Sequence, residues 1–409
     1  MKILISTGEV SGDVAGALVA QELFLRRPGA RIFGLGGARL EAAGVDLELS
    51  TIHLGTVGVS ESIAAIPGLF RAIARIRRRV SVERPDAAIL IGNDIFNVIL
   101  GRWLRAKGIP VISWFPPQVW IWRSLAWLFG KSFDVVLTSF RDEQRVYEKH
   151  CRETTFVGHY LADSLTRVSA EERSATRAKF GIASGISVVA ILPGSRRQEI
   201  HALTRPFLDA AALLAGRRSV RFLLPVSDPC FGEQIRAEIG KRTLQSQSLI
   251  VEGQSHDVMR AADVLLTASG TASLEATLLG VPMVVAYRVS AVTLFIVRMA
   301  IRAGLMDSET TALPNLILGR RAVAELKQED IEPQRLAGEV EALLDDGFGR
   351  RKMLRDLAEA AGNLRAKDSS AVRVVDQVVD QLVARTLRRS DPRRRAGMRE
   401  DLEESVHEN

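Results

Sequence analysis

Short apolar runs recur along this chain, each stopping at a small or polar residue and giving way to a pattern of helical period. That alternation constrains the fold more than any other feature. Runs such as Ser187-Val188-Val189-Ala190-Ile191 and Ala88-Ile89-Leu90-Ile91 are apolar at successive positions, not alternate ones. Strands of that kind are buried on both faces, which requires a parallel sheet covered by helices. The fold class is therefore α/β, with doubly wound parallel sheets. In the first half, strands are expected at 2–6, 31–35, 87–91, 109–113, 134–138 and 154–157, with helices at 13–26, 60–83 and 96–106. A charged stretch at 168–184 precedes further strands near 187–192, 220–225, 249–251, 263–267 and 283–286, so the domain boundary is expected around 165–185. Two Rossmann-like halves result, 1–170 and 180–345, facing a cleft. A helical pattern continues to about 385, and its part from about 350 is expected to complete the first half. The tail 386–409, rich in charge, is expected to be disordered.

Two of the strand ends carry the most chemistry. Leu192-Pro193-Gly194-Ser195-Arg196 follows one apolar run, and Ser269-Gly270-Thr271-Ala272-Ser273-Leu274-Glu275 follows another, Val264-Leu265-Leu266. A strand that stops at Gly and Ser and restarts as a helix leaves backbone N–H groups at a positive helix end, which suits phosphate. Arg196 adds a fixed, bidentate charge. Glu275 supplies an acceptor for a sugar hydroxyl. Either loop alone is as readily an ordinary βα turn; the pair suggests a nucleotide diphosphate across the carboxyl ends of the strands.

The bulk numbers exclude several classes. With 409 residues, the chain can hold two cores, and 47% hydrophobic with 25% charged residues is a globular composition. Cys151 and Cys230 have neither disulfide-framework nor zinc spacing, which makes a reducing cytosol the default. The opening Met1-Lys2-Ile3-Leu4-Ile5-Ser6 reads as a first strand, not a secretory signal, and no apolar run is long enough to span a bilayer. The net charge is +7. The tail from Arg385 contributes little of it, with seven Arg against six acids, whereas Arg71, Arg75, Arg77, Arg78, Arg79 and Arg84 form a basic stripe. The stripe lacks the aromatic–basic interleaving of a single-strand platform, so nucleic acid is not the expected partner. Ile63, Ile66, Leu69 and Phe70 precede it, and apolar residues beside a basic face suit an anionic membrane surface or a lipid substrate. A core-facing helix with a solvated Arg face fits the same pattern.

Other strand ends offer further candidates. In Gly8-Glu9-Val10-Ser11-Gly12-Asp13 the glycines have the wrong spacing for a dinucleotide loop. Glu9, Ser11 and Gly12 are placed to hold sugar or phosphate, while Asp13 fits an acid or a helix-start residue. Gly34-Leu35-Gly36-Gly37 does not follow the first strand, which argues against a nicotinamide cofactor. Asp94 stands at a strand end as a candidate general base, with Asn97 to orient a sugar or to cap a turn. Trp114 to Arg123 gathers aromatic weight beside two prolines, so Trp120, Trp122 and Arg123 are candidates for sugar stacking or an acyl channel, or else for a buried plug. The six histidines lack metal spacing, and His159 alone follows a strand end. Neither metal nor other cofactor is expected.

Taken in order, these motifs resemble the lipid-A-disaccharide synthases, an inverting glycosyltransferase family of GT-B fold. The resemblance runs from residue 2 to about 385. It includes Val57-Gly58 with Glu61, Pro117-Gln118-Val119-Trp120-Ile121-Trp122-Arg123, Val157-Gly158-His159 with Asp163, Tyr287-Arg288 and Leu313-Pro314-Asn315-Leu316. It implies that the C-terminal half binds the UDP of UDP-2,3-diacylglucosamine through Ser195, Arg196, Ser269, Gly270, Thr271, Glu275 and Arg288. It implies that 2,3-diacylglucosamine 1-phosphate (lipid X) is taken by residues including Ser11, Gly12, Asn97, Trp120, Trp122, Arg123, His159 and Asn315. Ile63, Ile66, Leu69, Phe70, Arg71, Arg75 and Arg78 would meet acyl chains and the inner face of the cytoplasmic membrane. The implied protein is cytoplasmic and peripheral to that membrane, and a homodimer by exchange of C-terminal domains is a further expectation. One departure stands out. The family usually carries two acids that align with Gly92 and Ile95 here, which leaves Asp94, Glu9 and Asp13 as candidate catalytic carboxylates. A divergent paralogue with another acceptor, or a weakly catalytic nucleotide-sugar-binding protein, is the alternative.

Overall fold

The structure, a computed structural model, describes residues 1–51, 59–92, 95–119, 123–226, 228–304 and 310–390, without the side chains of 59–66, 229, 292 and 384–390. Asp94, Trp120, Trp122, the side chains of Ile63 and Ile66, and the tail beyond 390 lie outside the described residues.

Two compact units divide the chain. The first is Met1–Tyr160 together with the chain from Ala366; the second is Leu161–Arg365. The first holds strands β1 (Lys2–Thr7), β2 (Arg31–Gly36), β3 (Asp46–Ser50), β4 (Ala87–Ile91), β5 (Val111–Trp114), β6 (Val135–Thr138) and β7 (Glu153–Phe156) in the order β3-β2-β1-β4-β5-β6-β7. The second holds β8 (Ser187–Leu192), β9 (Val220–Val226), β10 (Ser248–Glu252), β11 (Val264–Ala268), β12 (Met283–Tyr287) and β13 (Ala324–Lys327) in the order β10-β9-β8-β11-β12-β13. Each described strand pair is parallel. The sequence expectation of doubly wound sheets holds, because strands such as β1, β4, β8 and β11 bury nearly every residue and need helices on both faces.

In each sheet the order reverses beside one strand. Strand β1 lies between β2 and β4, and β8 lies between β9 and β11, where Val189 faces both Phe222 and Val264. Loops leaving adjacent strands at such a point run to opposite sides of the sheet and open a crevice at the carboxyl ends.

Three local readings change. Strands β3 and β13 carry no clear apolar signal, since Asp46-Leu47-Glu48-Leu49-Ser50 and Ala324-Glu325-Leu326-Lys327 are edge strands with solvated positions. The segment that returns to the first unit starts at Ala366, not near 350. The Phe348–Asn363 helix packs within the second unit, where the Met353 sulfur accepts from the Met283 N–H at 3.4 Å. The returning helix, Ser370–Ser390, lies against the Val10–Arg26 helix, buries Val374, Val375 and Val378, and pairs Asp376 with Arg26 at 2.5 Å.

Candidate functional site

The reversal point of the second sheet carries a cavity of about 430 Å³. Its wall brings together Gly194, Ser195 and Arg196 after β8 with Ser269, Gly270, Thr271 and Glu275 after β11. Two loops separated in sequence thus form one concave surface, as their position at strand ends requires. Gly253, Gln254 and Ser255 after β10 complete it, and sequence reading had not singled them out.

The loop after β11 is built as an anion cradle. Gly270 adopts φ 152°, ψ −157°, open to glycine but rarely to side-chained residues, and precedes the nine-residue helix Thr271–Leu279. No side chain caps that helix start, and an added Cβ at Gly270 would meet nothing within 4 Å. The first N–H groups of the helix therefore face the cavity at its positive end. The Ser269 hydroxyl is turned away and donates to the Thr311 carbonyl at 2.8 Å.

The loop after β8 behaves differently. Its N–H groups are already engaged: the Glu199 carboxylate accepts from Ser195 N at 3.0 Å and Arg196 N at 3.3 Å, and pairs with the Arg196 guanidinium at 3.0 Å. Glu199 thus acts as a built-in anion that reaches back from the third position of the Arg197–Ala215 helix to its N-terminal N–H groups. Gly194, at φ 126°, leaves room for it; a Cβ there would lie 2.4 Å from both Glu199 Cβ and Oε2. The expectation of open backbone donors on this loop is corrected, because a carboxylate three residues into the helix holds them first. What the loop offers the cavity is the Arg196 side chain, half-exposed at 50%.

Outside the cavity wall, His256 Nε2 lies 3.0 Å from Oε1 of the cavity-lining Glu275. That hydrogen bond, opposed by partial burial, raises the imidazole above its ordinary value. Arg288, expected at the donor site, does not line the cavity. Its guanidinium donates to the carbonyls of Gln328 at 2.9 Å, Ile331 at 3.4 Å and Ala202 at 3.5 Å, bracing two backbone segments. Asn315 is likewise internal. Its Oδ1 accepts from the N–H groups of Ala322 (2.7 Å) and Val323 (2.9 Å), and its Nδ2 donates to Val323 O (3.2 Å) and Glu325 Oε2 (3.3 Å). With every polar atom engaged and only 6% exposed, it ties the Leu313–Leu318 helix to β13.

In the first unit the candidates sort by burial. The Asp13 carboxylate is 4% exposed and accepts from the N–H groups of Gly37 (2.7 Å), Arg39 (3.0 Å) and Leu40 (3.2 Å). It holds the Ala38–Ala42 helix start and is not a free base. Asn97, 2% exposed, accepts from the Ser6 hydroxyl at 2.9 Å and donates to Ile91 O at 3.1 Å, which joins β1 to β4. Gly12 is buried where the first helix crosses β1 and β4, 3.3 Å from Ile91 O to an added Cβ. Glu9 and Ser11 are partly exposed at the same helix start. Gly92, where the family's acid would stand, takes φ 108°, a backbone that a side-chained residue rarely adopts.

His159 is 7% exposed and stacks on Tyr160 (4.9 Å), with Phe115 (5.1 Å) and Phe140 (5.9 Å) edge-on. Burial pushes its imidazole down to about 3, so it stays neutral. Trp114 is fully buried and donates to Ser139 Oγ at 3.2 Å. The described part of the aromatic run is therefore a plug, and Arg123 lies exposed beyond it. In the Val59–Glu83 helix, Leu69 packs inward against the core, while Phe70 is 68% exposed beside exposed Arg71, Arg75 and Arg78. Among the described residues no helix is long and apolar enough to cross a membrane, and no His, Cys, Asp and Glu cluster could hold a metal.

Known proteins agree with this architecture. A putative UDP-N-acetylglucosamine 2-epimerase from Listeria monocytogenes superposes with a TM-score of 0.60 at 14% identity, over 91% of this chain and 94% of its own, which shows a shared two-sheet GT-B-type fold. A lipid-A-disaccharide synthase from Pseudomonas aeruginosa is 37% identical over 349 residues, covering 85% of this chain and 90% of that protein. One from Xanthomonas campestris pv. campestris is 36% identical over 347 residues, covering 84% and 77%. The family model described as lipid-A-disaccharide synthetase matches residues 3–374, through both units and into the returning helix; the chain belongs to that family.

Proposed function

We propose that the chain joins two acylated glucosamines, transferring a 2,3-diacylglucosaminyl group from UDP to the 6-hydroxyl of 2,3-diacylglucosamine 1-phosphate. The observation that carries the reading is the single cavity made by the two loops after β8 and β11, with an uncapped helix start at Gly270. Family membership makes the chain a glycosyltransferase of lipid A disaccharide synthesis with a nucleotide-sugar donor. In the step, the acceptor oxygen bonds to the donor's anomeric carbon and the bond from that carbon to the diphosphate breaks. UDP leaves with the electron pair, the hydroxyl proton passes to a protein base, and the centre inverts to a β-1,6 linkage.

The donor diphosphate is assigned to the Gly270–Thr271 helix start and the Arg196 guanidinium, because a developing dianion is best stabilised by fixed donors and charge. Glu275 accepts from a donor hydroxyl. Asp94 is the proposed base and Glu9 the next candidate; Asp13 is not, since three backbone N–H groups hold it. Phe70 with Arg71, Arg75 and Arg78 is the proposed contact with the acyl chains and an anionic lipid surface. A homodimer formed by exchange of C-terminal domains is also proposed, on the family resemblance, and light scattering tests it.

The deciding experiment incubates the protein with both diacylglucosamine substrates and follows disaccharide and UDP. Disaccharide should form without added metal. UDP binding without disaccharide would sink the transfer reading and leave a nucleotide-sugar-binding protein. Asp94→Ala should slow transfer by about 10²–10⁴-fold with donor affinity unchanged.

A further inference from the structure

Among the charged side chains lining the cavity, Arg196 and Glu199 cancel as an ion pair at 3.0 Å. That leaves Glu275 as a net negative charge in a site read as taking a diphosphate. Left alone, a carboxylate there would repel the ligand it is meant to hold. The group that offsets it comes from outside the cavity wall: His256, on the Ser255–Ala261 helix, with Nε2 3.0 Å from Glu275 Oε1.

We infer that His256 is a positioning residue, which holds Glu275 toward a donor hydroxyl and neutralises its charge when a nucleotide sugar binds. The inference rests on the donor reading of this cavity. One carboxylate oxygen is occupied by the imidazole, and the rest of the carboxylate's acceptor capacity faces the ligand. The surroundings leave His256 committed to this pairing. Asp257 and Arg260, on its own helix, pair with each other at 3.2 Å. From the Ala170–Lys179 helix, Lys179 pairs with Asp257 at 2.6 Å, Arg177 pairs with Asp263 at 2.7 Å, and Arg173 bonds the Ala262 carbonyl. Arg221 of β9 bonds the Ser246 carbonyl, and the Glu252 side chain of β10 is exposed. Strand β8 carries no charged residue.

The hydrogen bond to Glu275 raises His256 above its ordinary value, so the charged form persists to higher pH than in a free imidazole. Donor affinity is therefore high below that raised value and falls as pH rises through it. Arginine at this position keeps a charged donor at every accessible pH.

The test is calorimetry of wild type, His256→Ala and His256→Arg with UDP, then with UDP-2,3-diacylglucosamine, whose diphosphate diester has no ionisation near neutrality. Wild type should bind the diester about 5–10-fold more weakly at about pH 8.5 than at about pH 6. His256→Arg should bind tightly at both, and His256→Ala weakly at both. Thermal melts confirm that each variant is folded. If wild type binds the diester equally at both pH values, or His256→Ala binds like wild type, the inference fails while the donor reading stands. If wild type binds no UDP, the donor reading fails and takes the inference with it.

Discussion

Replacing Asn315 by alanine separates a bracing role from a substrate role. The change removes an acceptor shared by two buried N–H groups, at 2.7 and 2.9 Å, and a donor to Val323 O and Glu325. Water cannot easily serve the orphaned groups of Ala322 and Val323, because the site is 6% exposed. Each such orphan costs about 1–3 kcal/mol, so the variant should lose roughly 3 kcal/mol. For a unit of this size that corresponds to a Tm lower by about 6–12 °C in a calorimetric scan. Asn315→Asp keeps the acceptor pair but sets a second carboxylate beside Glu325, and should fall between wild type and alanine. Both variants should bind UDP like wild type at temperatures where they are folded. An Asn315→Ala protein that melts with wild type yet loses transfer would refute the reasoning and return Asn315 to the substrate.

Three more outcomes follow. His159 is held neutral down to about 3, whereas the unfolded chain takes its proton near 6.5; stability therefore falls below that pH by about 1.4 kcal/mol per unit. Urea unfolding at about pH 7 and pH 5 should show roughly 2 kcal/mol of loss that His159→Gln does not share. Glu143 is buried, and desolvation raises its carboxyl well above the usual range, so it weakens the fold as pH rises above the unfolded value near 4.5. Glu143→Gln should melt higher than wild type at pH 8 and lose that advantage in acid, and equal melts at pH 8 would contradict the assignment. Gly194→Ala drives a Cβ to 2.4 Å from Glu199 at φ 126° and should cost about 2–4 kcal/mol while weakening UDP binding about tenfold; unchanged UDP affinity in calorimetry would show that Arg196 does not depend on this loop.

The strands that sequence reveals are those buried on both faces. Strands β3 and β13, at the sheet edges, mix Asp, Glu and Lys with apolar residues, because one side meets water and charge discourages pairing with another chain. The two loops that line the cavity were legible because glycines and a helix start follow an apolar run in each. Glu199 was legible in principle, since it stands three residues after the helix-capping position. His256 was not, because its partner lies nineteen residues away and is met only through the packing of two helices. Asp13 and Asn97 were read as site groups because they follow strand ends, and Arg288 and Asn315 because the family resemblance implied it. All four engage backbone groups of neighbouring segments, a role that leaves the same mark in sequence.

The order in which the chain leaves a ribosome gives the returning helix a further meaning. The second unit is contiguous, Leu161–Arg365, and every residue it needs has emerged before Ala366. The first unit begins earlier yet finishes later, since Val374, Val375 and Val378 of its last helix emerge only after the whole second unit. Nascent first-unit chains therefore wait, with the face of the Val10–Arg26 helix that this last helix covers still bare, while the later half is already able to fold. Premature termination inside 366–390 would spare the cavity after β8 and β11 and undo the unit that precedes it in the chain.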